Sequence, residues 1–125
     1  MLARYLKPLV RRLRPWSGNV GKRLVRTPKT YVRDSGITHA LLDLETWNDV
    51  LGHPVAGPSW EGFVIENVLA VAGSRRTPYY YRTEEGAEVD LLLERGGRIE
   101  MAIEIKRSTA PMLSRGFRGN VSAEV

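Results

Sequence analysis

The stretch AEVDLLLERGGRIEMAIEIK, residues 87–106, contains two segments in which apolar and polar residues alternate on either side of the pair Gly96-Gly97. A period of two is typical of β-strands, because successive side chains point to opposite faces of a sheet. A glycine pair between two such segments is typical of a hairpin turn. We therefore predict that residues 87–94 and 99–106 form an antiparallel hairpin.

The apolar residues also predict the register of this hairpin. A two-residue turn at Gly96-Gly97 would place Leu93 opposite Glu100 and mix apolar with charged side chains. A shift by one residue places Leu93 opposite Met101, which makes one face entirely apolar. We expect this second register, which requires an odd number of loop residues or a β-bulge. The apolar face would then consist of Ala87, Val89, Leu91 and Leu93 on one strand and Ile99, Met101, Ile103 and Ile105 on the other.

The same register predicts a cluster on the polar face. It makes Asp90 the cross-strand neighbour of Glu104, with Cβ atoms about 5 Å apart. Two carboxylates this close repel each other unless a cation lies between them, and Mg²⁺ is commonly bound by one or two carboxylates plus phosphate. Lys106 would lie on the same face, where an ammonium can orient or deprotonate an attacking water or stabilise phosphoryl charge. The same spacing also suits an exposed ion pair of Glu88 with Lys106, with Asp90 and Glu104 solvated.

The remaining segments predict a mixed α+β chain. Residues 9–14 and 29–33 are expected to form a hairpin with a long loop, and residues 58–73 a helix, with Gly73 as its C-terminal cap. The apolar face of that helix is predicted to contain Trp60, Phe63, Val64, Val68 and Val71. Helical spacing is also present over residues 2–7, two short helices are expected to be capped by Ser35 (over 36–43) and Thr46 (before Gly52), and a strand is expected over 79–82.

Charge is distributed unevenly along the 125 residues. Residues 1–40 contain ten lysines and arginines and one acidic residue, Asp34, whereas the rest of the chain is mildly acidic. A basic segment of this kind is typical of nucleic-acid contact, and it equally suits docking on an acidic protein. The residues predicted to contact DNA are Arg11, Arg12, Lys22, Arg23, Arg26 and Lys29.

Composition excludes several classes of function. The chain has no cysteine, so it has neither disulfides nor thiolate chemistry, and its two histidines do not support a Ser-His-acid set. No run of 18 apolar residues is present, so no membrane contact is expected, and a cytoplasmic location is the default. The sequence from Gly18 to Arg23 has two residues between its glycines and no following Ser or Thr, so it is not an ATP-binding P-loop.

Several segments, taken in order, are similar to known families. They are NVGKRLVRTPKTY (19–31), DSGI (34–37), WEGFV (60–64), YYRT (80–83) and EVDLLL (88–93), followed by Glu104-Ile105-Lys106. The order of helix carboxylate, strand aspartate and Glu-x-Lys resembles the PD-(D/E)xK, or restriction-endonuclease-like, superfamily. More closely, residues 5–118 resemble a domain of unknown function that forms the C-terminal part of many bacterial and archaeal AAA-type ATPases.

This resemblance implies a nuclease core in which a helix precedes a three-stranded, mixed or antiparallel sheet. It implies that Asp90, Glu104 and the main-chain carbonyl of Ile105 bind Mg²⁺, that Lys106 serves the attacking water, and that Glu61 contributes through metal or water. Glu66 is a weaker candidate for the role of Glu61. The implied function is Mg²⁺-dependent cleavage of DNA phosphodiesters, or DNA binding.

The resemblance also predicts how the chain is organised. We expect a basic hairpin with short helices over residues 1–54, the nuclease-like helix and strands over 55–110, and a flexible tail over 111–125. The ATPase part and the helix and strand that normally follow Glu-x-Lys are absent from the pattern, so the chain is expected to be truncated at both ends. An open sheet edge or the basic segment would then bind protein partners. The alternatives are a catalytically inactive interaction module or a gene remnant.

Overall fold

A hairpin between β4 (Glu88–Arg95) and β5 (Arg98–Ile103) forms one side of the sheet in this computed structural model, which describes residues 9–18 and 23–107. Leu93 pairs with Met101 and Leu91 with Ile103, so the predicted register is confirmed. Gly96 and Gly97, with φ of 59° and 83°, form a two-residue turn, as a type I′ hairpin requires. A β-bulge beside the turn restores the register, which was one of the two predicted solutions.

Five strands form a single mixed sheet in the order β2-β1-β3-β4-β5. The predicted N-terminal hairpin is confirmed, because β1 and β2 pair antiparallel. β1 then pairs parallel with β3, which joins the basic hairpin and the β3–β4–β5 strands into one sheet. The other elements are β1 (Val10–Pro15), β2 (Lys29–Val32), α1 (Ser35–Leu41), α2 (Trp47–Gly52), α3 (Ala56–Ala72) and β3 (Thr77–Arg82). The prediction of a mixed α+β fold is therefore confirmed.

The hydrophobic core lies between α3 and one face of the sheet. Ile65 of α3 packs against Leu13, Tyr80, Leu91 and Leu93, all of them buried. Tyr81, Val89 and Leu92 form a second buried cluster, which lies on the opposite face because neighbouring strand residues alternate. Among the described residues no helix has the length and apolar character needed to cross a bilayer.

The predicted faces of β4 are wrong for residues 88–90. Tyr79 pairs with Leu92 and Tyr81 with Val89, so Tyr80 faces two β4 residues, Asp90 and Leu91. The extra β4 residue in this bulge reverses the alternation of faces, because each β4 side chain before the bulge then lies on the opposite face of the sheet. Val89 therefore lies with Leu92 rather than with Leu91, and Asp90 lies on the face that α3 covers.

The buried face of α3 also differs from the prediction. Val71 is 89% exposed, and Trp60 and Phe63 are partly exposed, whereas Gly62 and Ile65 are buried against the sheet. α3 is apolar on more than one side, so its sequence did not distinguish the face toward the sheet from the face toward α1 and α2. α3 begins at Ala56, two residues before the predicted start, and Gly73 caps its end as predicted.

The short helices agree with the sequence except at one cap. Asp34, not Ser35, caps α1, because its carboxylate accepts hydrogen bonds from the backbone N–H groups of Gly36 and Ile37. A carboxylate is as good a cap as a hydroxyl, and Ser35 becomes the first helical residue. Thr46 caps α2 as predicted, in a capping box with Asp49. The predicted helix over 2–7 and the tail over 111–125 lie outside the described residues.

Candidate active site

Lys29 is the centre of a cluster of charged side chains under α3. Its Nζ lies 2.9 Å from Glu61 Oε1, 2.5 Å from Glu88 Oε1 and 3.9 Å from Asp90 Oδ1. It also lies 5.2 Å from the centre of the Tyr80 ring. Three carboxylates from α3 and β4 therefore share the ammonium of β2.

Two features of the strands bring these groups together. Lys29 begins β2 opposite the buried Leu13, so its side chain lies on the face that α3 covers. The bulge opposite Tyr80 places Asp90 on that face as well. Burial opposes the charged form of Lys29, but the hydrogen bonds to Glu88 and Glu61 outweigh it and raise its pKa. Lys29 is therefore an ammonium at neutral pH.

Asp90 connects this cluster to the Glu-x-Lys segment. Its Oδ2 accepts a hydrogen bond of 2.7 Å from the backbone N–H of Ile105. Burial raises the pKa of Asp90, and the charges of Glu61 and Glu88 act in the same direction, against the Ile105 N–H and Lys29. A carboxyl group with a raised pKa beside specific charge partners is typical of functional sites.

Glu104 and Lys106 follow directly after β5. Lys106 Nζ lies 2.7 Å from Glu104 Oε1, and the Glu104 side chain is only 6% exposed. The hydrogen bond to Glu104 raises the pKa of Lys106, and the charges of Glu104 and Asp90 add to it. Because the raised pKa favours the ammonium form, Lys106 is suited to orienting water or stabilising negative charge rather than to removing a proton.

Lys106 and Glu104, the predicted cross-strand neighbours of Glu88 and Asp90, lie beyond the last paired residue of β5. The last registered pair is Leu91 with Ile103, so Asp90 and Glu104 are not paired within the sheet. The Ile105 N–H instead donates to the Asp90 side chain, which brings the segment 104–106 against Asp90. The structure thus joins Asp90 to Glu61 through Lys29, and to Glu104 and Lys106 through Ile105.

The side chains near Asp90 supply only part of the coordination shell of Mg²⁺. No three His, Asp or Glu side chains within residues 9–18 and 23–107 are grouped to hold a metal. Mg²⁺ usually keeps several waters and takes one or two carboxylates plus substrate phosphate, so Asp90 and Glu104 are donors of the type it prefers.

Sequence reasoning missed the role of Lys29 and Glu88. Lys29 was predicted to contact DNA, but its ammonium lies inside the carboxylate cluster. The signal that could have found it was the need to neutralise nearby carboxylates, for which the sequence suggested a metal, an ion pair of Glu88 with Lys106, or solvent.

The other predicted DNA contacts divide into two groups. Arg11 forms an ion pair with Glu66, to which Arg33 also binds at 3.2 Å, so Glu66 ties α3 to β1. The side chains of Arg12, Arg23 and Arg26 are exposed. Lys22 lies outside the described residues.

The structure defines an α+β domain with a cluster of carboxylates around Lys29 between its sheet and α3. Residues 56–123 match a domain of unknown function (DUF4143), and residues 7–48 match a second domain of unknown function (DUF8612). The first match covers more than half of the chain and includes α3, β3, β4 and β5. The chain belongs to the DUF4143 family.

Two curated relatives extend this comparison. Uncharacterized proteins of Mycobacterium bovis and Mycobacterium tuberculosis are each 43% identical to the chain in an alignment of 120 positions that covers 92% of the chain. The chain spans 27% of the length of each relative. No solved structure matches the chain.

Proposed function

We propose that this domain is a Mg²⁺-dependent nuclease with a restriction-endonuclease-like core. The hydrogen bond from the Ile105 N–H to Asp90 Oδ2 carries the proposal, because it brings the Glu104-Ile105-Lys106 segment against the strand aspartate. The order of Glu61, Asp90 and Glu-x-Lys, which resembles that superfamily, supports the same conclusion.

Each group has a role that follows from its position. Asp90, Glu104 and the Ile105 carbonyl would hold Mg²⁺, which when bound polarises a phosphoryl oxygen and makes water a better nucleophile. The Lys106 ammonium orients the attacking water and stabilises charge on the phosphate. Glu61 acts indirectly, because it binds Lys29, and Lys29 in turn neutralises part of the charge around Asp90.

The experiment is a calorimetric titration with Mg²⁺ and Mn²⁺, followed by an assay of DNA cleavage. We expect millimolar or tighter metal binding that Asp90→Asn abolishes, and a loss of cleavage of about 10²-fold or more in Lys106→Gln. Glu85→Gln, in the exposed turn between β3 and β4, is the matched control and should change neither. Absence of metal binding at millimolar concentration would overturn the proposal.

A second candidate is a catalytically inactive interaction module. The observation that favours it is that Lys29 already neutralises the carboxylates of Glu61 and Glu88 without a metal. In that case the titration shows no metal binding, and Asp90→Asn leaves partner binding unchanged.

We also propose that the domain works within a larger ATPase-type protein. Its sequence resembles the C-terminal domains of AAA-type ATPases, and its relatives are much longer than the chain. Co-purification of the domain with the remaining part of such a relative, expressed separately, tests this; failure to co-purify contradicts it.

A further inference from the structure

An aromatic groove lies between the three helices and the residues that follow β5. Its volume is about 630 Å³, within the range of ligand sites. Trp47, Trp60 and Phe63 line its apolar side, and Lys106 and Arg107 lie on its wall. We call it the aromatic groove.

The aromatic rings of this groove are unusually accessible. Trp47 is 73% exposed, Phe63 49% and Trp60 39%. The rings of Trp60 and Phe63 stack with centroids 5.8 Å apart. Three large aromatic side chains that stay in contact with solvent are typical of a binding surface rather than of a core.

A hydrogen bond ties this groove to the candidate active site. The indole N–H of Trp60 donates to the main-chain oxygen of Lys106 at 3.2 Å. The ammonium of Lys106, which the proposed reaction uses at the phosphate, therefore belongs to a residue that also touches the aromatic wall. A base and its phosphate are joined by one sugar, so a phosphate held near Lys106 brings its base within reach of these rings.

We propose that the aromatic groove binds unpaired bases of single-stranded DNA, with the backbone phosphates beside Lys106 and Arg107. This inference rests on the proposed nuclease function and names its substrate class. Exposed aromatic rings stack on any base, and cations track the backbone, which is the combination that single-strand binding uses. In a duplex the faces of the bases are covered by their neighbours, so the rings cannot reach them.

The polar groups of the groove suit the edge of a base. His39 Nε2 and Ser59 Oγ form a hydrogen bond of 2.7 Å on its lining, and the Ser59 oxygen keeps a further lone pair that can accept from a base. An acidic peptide would satisfy Lys106 and Arg107 equally well, but it would make less use of three accessible flat rings. The observations therefore favour DNA over protein.

The test is fluorescence anisotropy of a labelled 12-residue oligo-dT strand in EDTA, where no cleavage takes place. We expect Trp47→Ala and Phe63→Ala each to weaken binding by about five- to a hundredfold. Leu41→Ala, an exposed apolar residue of α1 that does not line the groove, is the matched control and should bind as the unmodified chain does. Affinity for a duplex of mixed sequence should be unchanged in all three variants.

Wild-type affinity in folded Trp47→Ala would overturn the inference, and so would an equal loss for single strand and duplex. Since Trp47 is the most exposed of the three rings, that variant should fold even where Phe63→Ala does not. A Glu-Leu repeat peptide is a second competitor. If it displaces the labelled oligo-dT at a lower concentration than unlabelled oligo-dT does, the groove is a protein site and the inference is overturned. Groove-dependent binding without cleavage would refute only the nuclease, whereas cleavage of single-stranded DNA that Trp47→Ala leaves unchanged would refute only the groove.

Discussion

Lys29 shows how one residue can determine the electrostatics of a site. Its ammonium is shared by Glu61 and Glu88 and lies 3.9 Å from Asp90. The Lys29 side chain is 23% exposed, so these charges are only partly solvated. Removal of one partner from such a cluster leaves charges that neither water nor protein fully compensates.

Lys29→Met should therefore destabilise the fold by about 1–3 kcal/mol at pH 7, less than the loss seen for fully buried pairs. Urea unfolding at pH 7 measures the loss, and Lys29→Arg is the control that keeps the charge. Equal free energies of unfolding for Lys29→Met and the unmodified chain would contradict this prediction.

Asp90→Asn should behave in the opposite way. Because burial raises the folded-state pKa of Asp90 above its ordinary value of 3.8, the ionised carboxylate costs stability above the folded pKa. That cost disappears below the unfolded pKa. We expect Asp90→Asn to be at least as stable as the unmodified chain at pH 7, with its advantage lost near pH 3. A clear loss of stability of Asp90→Asn at pH 7 in urea unfolding would contradict the raised pKa of Asp90.

At the scale of elements, α3 packs closely against β2 at Gly62. A Cβ atom built there would lie 3.0 Å from the ring of Tyr31, tighter than nine in ten real contacts. At Gly57, also in α3, no atom lies within 4 Å of such a Cβ. The close approach holds the helix that carries Glu61 against the strand that carries Lys29.

Gly62→Ala should destabilise the fold by about 1–3 kcal/mol, because the overpacking outweighs the better helix propensity of alanine. Gly57→Ala is the matched control and should be neutral or stabilising by up to about 1 kcal/mol. Thermal or urea unfolding of the pair measures the difference. Equal stabilities would show that Tyr31 moves aside without cost.

At the scale of the whole molecule, basic residues that are close in sequence have separate roles. Arg11 and Lys29 are occupied by ion pairs with α3, whereas Arg12 and Arg26 are exposed. An arginine that neutralises a phosphate releases counterions from DNA. Arg12 and Arg26 are therefore the predicted DNA contacts that can be tested without disturbing an ion pair with α3.

The double variant Arg12→Gln, Arg26→Gln should weaken duplex DNA binding and make its logarithmic salt slope less steep by about 2, because each arginine that is removed leaves one phosphate with its counterion. Arg98→Gln, an exposed arginine at the start of β5, is the control. Binding isotherms between about 50 and 200 mM salt measure the slope. An unchanged slope in the double variant would place the phosphate-binding residues elsewhere.

The sequence by itself determined the α+β class, the two hairpins, the end of α3 at Gly73, and the register of Leu91 and Leu93 in β4. These features follow from short periodic patterns and turn residues, which act over a few positions. The bulge opposite Tyr80, the buried face of α3 and the position of Lys29 were decided only by the tertiary structure. They depend on contacts between elements that are distant in the chain, and no local period records which of two apolar faces packs against the sheet.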